Sequence, residues 1–160
     1  MSNEKFPATQ AIRTLKGHGV KFSLHPYKFK EQGGTKTTAR ELNLDEDLII
    51  KTLVMKDDQG GLLLILMHGD KKVSTKALAR TLGAKTLSPC DSKEAHRHTG
   101  YFVGGISPFG TRKPLKVYVE RSIMKLPKIY TNAGKKGLLA GMSPQDMARI
   151  LNPTHVDVAI

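Results

Sequence analysis

The stretch Thr99-Gly100-Tyr101-Phe102-Val103-Gly104-Gly105-Ile106-Ser107-Pro108-Phe109-Gly110 is unlike the rest of this 160-residue chain: apolar, glycine-rich and closed off by a proline. Consecutive glycines at 104 and 105 let the backbone approach a ligand closely and aim N–H groups at a developing negative charge. Pro108 stiffens the loop, which would hold those amides in place before a substrate arrives. The same composition also describes an ordinary loop, so its meaning depends on what surrounds it.

Working outward, Ser92 to His98 reads as a short helix stopped by Gly100, while Lys116–Val119 and Lys128–Thr131 read as strands. Ser143-Pro144 opens a last helix that runs through Leu151. Upstream, Ile49–Met55 and Leu62–Met67 are apolar runs separated by Asp57-Asp58-Gln59-Gly60-Gly61, a hairpin signal. Lys51 lies inside the first run, either facing outward or aimed into a cleft. Ser74 caps a helix that Gly83 stops. Thr9–Lys16 has helical spacing, Val20 alternates into a strand that ends at Pro26, and Thr37–Leu44 reads as a helix capped by Thr37 or Thr38. Short strands and helices interleave irregularly without repeats or linkers. The expectation is a single α+β domain over residues 1–160 rather than an open parallel sheet.

Composition narrows the function. At 17.6 kDa, with 39% hydrophobic and 25% charged residues, the chain can bury a real core. Its longest apolar stretch, Leu62–Met67, is too short to span a bilayer, and Met1-Ser2-Asn3-Glu4-Lys5 lacks a signal-peptide core. A cytoplasmic protein with no membrane association is expected. One cysteine, Cys90, rules out an internal disulfide framework and any CxxC motif. The net charge is +12, and Arg97–Lys136 holds nine basic residues against the single acid Glu120, so +8 falls within forty residues. Such a cluster suits either a phosphate backbone or a solvated lysine-rich face.

Familiar catalytic patterns fail. Gly33-Gly34-Thr35-Lys36-Thr37 lacks the G-K-[ST] order, and in Asn132-Ala133-Gly134-Lys135-Lys136-Gly137 a lysine stands where a magnesium-binding hydroxyl belongs. Both are glycine turns carrying lysines. Cys90 reads as an inert thiol, and His96 and His98 lack a third ligand, so no metal and no cofactor are expected. Ser107 has no His or Asp in a recognisable relation to it and reads as a hydroxyl bonding its own backbone.

Taken in order, Lys51-Thr52-Leu53, Leu82-Gly83-Ala84-Lys85, the Thr99–Gly110 string, Ile129-Tyr130 and Gly134-Lys135-Lys136-Gly137-Leu138 resemble the YbaK/EbsC family over about residues 9–156. These are freestanding relatives of the editing domain of bacterial prolyl-tRNA synthetases. The resemblance implies an α+β fold with a mixed, barrel-like sheet flanked by short helices and a pocket beside it. It also implies a trans-acting hydrolase that cleaves the ester of mischarged tRNA, with Cys-tRNA(Pro) as the first substrate. Lys51 matches the family's functional strand lysine, and Gly104, Gly105, Ile106, Ser107 and Pro108 match its glycine–proline loop. Tyr27 matches the tyrosine of H-x-Y, and Asn132 stands where the family has a serine.

On that resemblance, Lys51, Gly104 and Gly105 carry the catalysis, and Tyr27, Ile106, Ser107, Pro108 and Asn132 contact the substrate. Arg112, Lys113, Lys116, Lys135 and Lys136 face the acceptor stem of tRNA, with prolyl-tRNA synthetase or an elongation factor as a source of selectivity. Three positions depart from the pattern: Gly34 replaces the phenylalanine of cysteine-specific members, Asn132 the serine and Leu139 an acid. They leave open another small amino acid, alanine or serine, or a non-catalytic tRNA-binding module.

Overall fold

In a computed structural model that describes residues 8–160, the chain runs α1 (Gln10–Gly17), β1 (Ser23–Pro26), α2 (Gly34–Leu42), β2 (Ile50–Asp57), β3 (Leu62–His68), α3 (Thr75–Leu82) and β4 (Leu87–Pro89). It continues through α4 (Ser92–Thr99), β5 (Lys116–Glu120), β6 (Ile129–Asn132), β7 (Leu138–Met142), α5 (Pro144–Leu151) and β8 (Thr154–Val156). Met1–Lys5, read above as lacking a signal-peptide core, lies outside the described residues.

Local chemistry sets most helix starts. Side-chain oxygens of Thr9, Ser74, Asp91 and Ser143 accept the N–H groups of Ile12, Ala77, Glu94 and Asp146, and Gly83 and Gly100 close α3 and α4 in the left-handed conformation. The exception is α2. Thr37 donates its N–H to Gly33 at 3.3 Å and the Thr38 hydroxyl donates to the Gly34 carbonyl at 3.2 Å, so the helical ladder starts a turn before the expected threonine cap.

The strands form two sheets, β1-β7-β6 and β4-β2-β3-β5-β8. In the larger one β4-β2-β3 is antiparallel, while β5 and β8 add in parallel. Neither sheet closes, which corrects the expectation of a barrel-like sheet. A single parallel bridge, Ile49–Tyr130, links the two. Proline explains part of this: Pro26 and Pro89 lie in the edge strands β1 and β4, where a missing N–H blocks further pairing.

Both faces of the larger sheet are covered. Leu64, Leu66, Val117 and Val119 pack with α1, Phe109 and Met147 on one side. Met55, Leu63, Ile65 and Met67 pack with Leu78 and Ala79 of α3 on the other. This two-sided burial accounts for the unbroken apolar run of β3. Truncating Leu64 or Ile65, both fully buried, to alanine costs about 2–5 kcal/mol.

Candidate active site

Along Ile50–Leu53, β2 is paired with β3 on one side only, because β4 joins its other edge at Met55–Asp57. A cleft of about 410 Å³ opens at that uncovered edge, between the start of α2 and the glycine loop. Cys90 donates its N–H to the Val54 carbonyl at 3.0 Å, and ladder alternation turns the backbone groups of Thr52 to the same side. The Thr52 hydroxyl is buried with no hydrogen-bond partner among the described residues, a cleft feature that no sequence motif marked.

Lys51 lines this cleft half-buried, and its Nζ donates to the Gly69 carbonyl at 3.4 Å. Burial pushes its ammonium below the ordinary lysine range with help from Lys72, while Glu46 and Asp70 oppose the shift. A side chain at Gly69 would put its Cβ 2.7 Å from Thr35 Oγ1 and 2.9 Å from the Glu46 carbonyl, so only glycine brings this carbonyl so close. Thr35 in turn donates to Glu46 Oε2 at 2.7 Å. Sequence reading missed this Thr35–Glu46–Gly69 support for Lys51, because its members belong to three separate segments.

On the far wall stands the glycine loop. Gly104 adopts φ 93° and lines the cleft with Val103 and Ile106. The N–H groups of Gly104 and Ile106 donate to no partner among the described residues, whereas Gly105 gives its N–H to the Phe102 carbonyl at 2.8 Å. Gly105 instead serves close packing, since a Cβ there would stand 2.9 Å from the Lys136 backbone nitrogen. Ser107 is fully buried and its Oγ accepts the Phe109 N–H at 3.2 Å. Pro108 is buried too, and neither residue lines the cleft.

Tyr27, Asn132 and Leu139 complete the wall. Tyr27 is anchored by its N–H to the Gly137 carbonyl at 2.8 Å, and burial pushes its phenol above the ordinary value. Asn132 Nδ2 donates to the Gly104 carbonyl, while its Oδ1 accepts the N–H groups of Gly134 and Lys135. Gly34 also lines the cleft, at φ 59°, and a Cβ built there meets nothing within 4 Å. Cys90 lines it as well, its thiol pushed up by burial and by Glu94 and Asp91.

The basic residues separate. Lys135 and Lys136 border the glycine loop, and Lys136 Nζ lies 4.8 Å from the centre of the Phe29 ring. The Arg112 and Lys113 N–H groups bond the Thr99 and His98 carbonyls behind the loop. Lys116 pairs with Leu63, four residues along β3 from the Met67 that faces Lys51, which is roughly 13 Å away along the strand. Among the described residues no three His, Cys, Asp or Glu side chains group to hold a metal ion, and no helix is long and apolar enough to cross a membrane.

Residues 31–150 match the model of the aminoacyl-tRNA editing domain. The chain is 25% identical over 151 residues to an Enterococcus faecalis protein named "Putative Cys-tRNA(Pro)/Cys-tRNA(Cys) deacylase EbsC", covering 94% of this chain and 92% of that one. It is 30% identical over 115 residues to a proline–tRNA ligase of Thermodesulfovibrio yellowstonii, covering 71% of this chain but 19% of the ligase. A crystal structure described as "a putative trans-editing enzyme for prolyl tRNA synthetase" superposes with a TM-score of 0.83 at 20% identity, over 98% of this chain and 99% of that one.

Proposed function

The chain belongs to the YbaK/EbsC aminoacyl-tRNA editing domain family, and on that premise we propose that it is a trans-acting deacylase of mischarged tRNA, with Cys-tRNA(Pro) as its first substrate. The observation that carries this reading is one cleft lined by Lys51 on one wall and, on the other, by Gly104 and Ile106, whose N–H groups donate to no partner among the described residues. An aminoacyl ester is labile, so polarising its carbonyl, orienting the attacking group and excluding the correct amino acid suffice.

In this reading the Gly104 and Ile106 amides receive the carbonyl oxygen as it gains negative charge. Lys51 holds the ester oxygen or the terminal phosphate, and its partial burial strengthens that contact. With cysteine as the amino acid, its own thiolate attacks the ester carbonyl and the tRNA hydroxyl leaves with a proton. Water then opens the resulting thiolactone. With alanine, water attacks the carbonyl instead, oriented by the neighbouring ribose hydroxyl, and the tRNA hydroxyl leaves with a proton.

A second reading, removal of alanine or serine, is favoured by the open wall at Gly34 and the apolar Leu139. The whole chain acts as one editing module in the cytoplasm. Because charge contacts discriminate tRNAs poorly, selectivity is supplied by prolyl-tRNA synthetase or an elongation factor.

The test is deacylation of Cys-, Ala-, Ser- and Pro-charged tRNA(Pro) by the protein and by Lys51→Ala. Ester loss above the spontaneous rate, abolished by the substitution, supports the assignment and names the amino acid. Intact esters across the panel, with tRNA still bound, replace it with a tRNA-binding module.

A further inference from the structure

Phe102 stands 69% exposed on the outer side of the glycine loop, where the ester chemistry makes no use of it. One face of its ring is covered by His96, with centroids 4.2 Å apart and planes 16° from parallel. His96 Nδ1 lies 3.1 Å from the Tyr101 carbonyl, which can only accept, so that nitrogen carries a proton and fixes the ring against α4. The aromatic is therefore pinned from behind with its other face open to solvent.

Beside it lies a hollow of about 390 Å³ bounded by Phe102, Gly105, Gly134, Lys135 and Lys136. The close approach of Gly105 to the Lys136 backbone and the bond from Asn132 to Gly104 lock the loop to the basic turn, so the backbones that carry the ring and the lysines are held together. Lys136 reaches Glu31 at 3.8 Å, while Lys135 pairs with no carboxylate among the described residues. A held aromatic face next to a free cation is the combination that binds single-stranded nucleic acid: the ring stacks a base and the lysine takes the adjoining phosphate.

We propose that Phe102, backed by His96, is the platform on which a base of the single-stranded 3′ end of tRNA stacks, with Lys135 on the neighbouring phosphate. This rests on the reading that charged tRNA is the substrate, and it adds the element that aligns the strand. The loop separates the two sites, since Val103 and Gly104 line the cleft and Phe102 and Gly105 line the hollow. A strand stacked on Phe102 thus has its terminal ester one loop-width from Lys51.

The chain has no tryptophan, so Phe102→Trp introduces a single indole reporter at an exposed position that leaves the core untouched. Its fluorescence is titrated with a tRNA(Pro) transcript carrying the 3′ CCA end and with the same transcript lacking those nucleotides. Quenching that depends on the CCA end is expected. Phe102→Ala should weaken binding and raise KM about tenfold, leaving kcat within about twofold. Equal quenching by both transcripts, or Phe102→Ala at wild-type KM, overturns the platform. If the wild-type protein deacylates while the indole ignores the CCA end, the subsite fails and the deacylase stands. If the indole reports the CCA end while every ester stays intact, the deacylase fails and the subsite stands.

Discussion

Asn132 Nδ2 donates to the Gly104 carbonyl at 3.1 Å while its Oδ1 accepts from Gly134 at 2.7 Å and Lys135 at 3.0 Å. One side chain thus caps the basic turn and fixes the loop that presents the Gly104 and Ile106 amides. Asn132→Asp keeps the acceptor and loses the donor. Deacylation kcat/KM should fall about tenfold, with the thermal midpoint nearly unchanged. Asn132→Ala loses both functions and should also destabilise the fold by about 1 kcal/mol, read from denaturant melts. Full activity in Asn132→Asp would mean that the Gly104 tether does not position the loop.

Lys51 combines its proposed role in the cleft with a stability cost. Its folded-state pKa lies below the ordinary 10.5, burial being the main cause. The unfolded chain therefore holds this proton more tightly, and the penalty of a half-buried ammonium is present at neutral pH. It is relieved as pH rises through the lowered folded value toward 10.5. Lys51→Met should melt higher than the parent at about pH 7, with the gap closing by about pH 10, while deacylation falls about 100-fold. A variant that melts lower at neutral pH would mean that the bond to Gly69 outweighs desolvation.

Elements governed by local chemistry were legible in the sequence. The hairpin follows from Asp57–Gly61, where Asp57 Oδ1 accepts the N–H groups of Gln59 and Gly61 and Gly60 takes φ 84°. The cap at Ser74 and the helix start at Ser143-Pro144 follow from their side chains. What depends on distant pairing was not legible. Leu138–Met142 carries no alternation because all five residues are buried between β1 and β6, and no strand was read there. The strand expected from Val20 to Pro26 shrinks to Ser23–Pro26, the four residues that pair with Leu138–Gly141 of β7. In the site, the residues of each motif were visible, but which N–H groups remain uncommitted depends on how the loop folds back on itself.

Cys90 lines the cleft without the surroundings of a nucleophile. Burial, Glu94 and Asp91 push its thiol above the ordinary 9.0, and Lys56, which opposes them, is itself held by Glu94 at 2.9 Å. Cys90→Ser should deacylate within about twofold of the parent. Alkylation of Cys90 by iodoacetamide should be slower than that of free cysteine at about pH 8 and should accelerate as pH rises. Loss of activity on alkylation with retention in Cys90→Ser would reflect blockage of the cleft, whereas loss in both would make the thiol a participant.

The basic cluster is contiguous in sequence but divided in space, and salt dependence separates its parts. Lys135 borders the glycine loop without a carboxylate partner among the described residues, so Lys135→Gln should remove one phosphate contact. The slope of log Kobs against log salt for tRNA should flatten by about 0.7 to 0.9. Lys116 lies at the other end of the sheet with its Nζ 5.3 Å from the Tyr118 ring centre, and Lys116→Gln should leave the slope unchanged. Equal flattening by both would mean that the acceptor stem runs along the whole side of the sheet, engaging phosphates at both ends. Flattening at Lys135 alone would confine the charge contacts to the loop and turn, where the single-stranded end reaches the cleft.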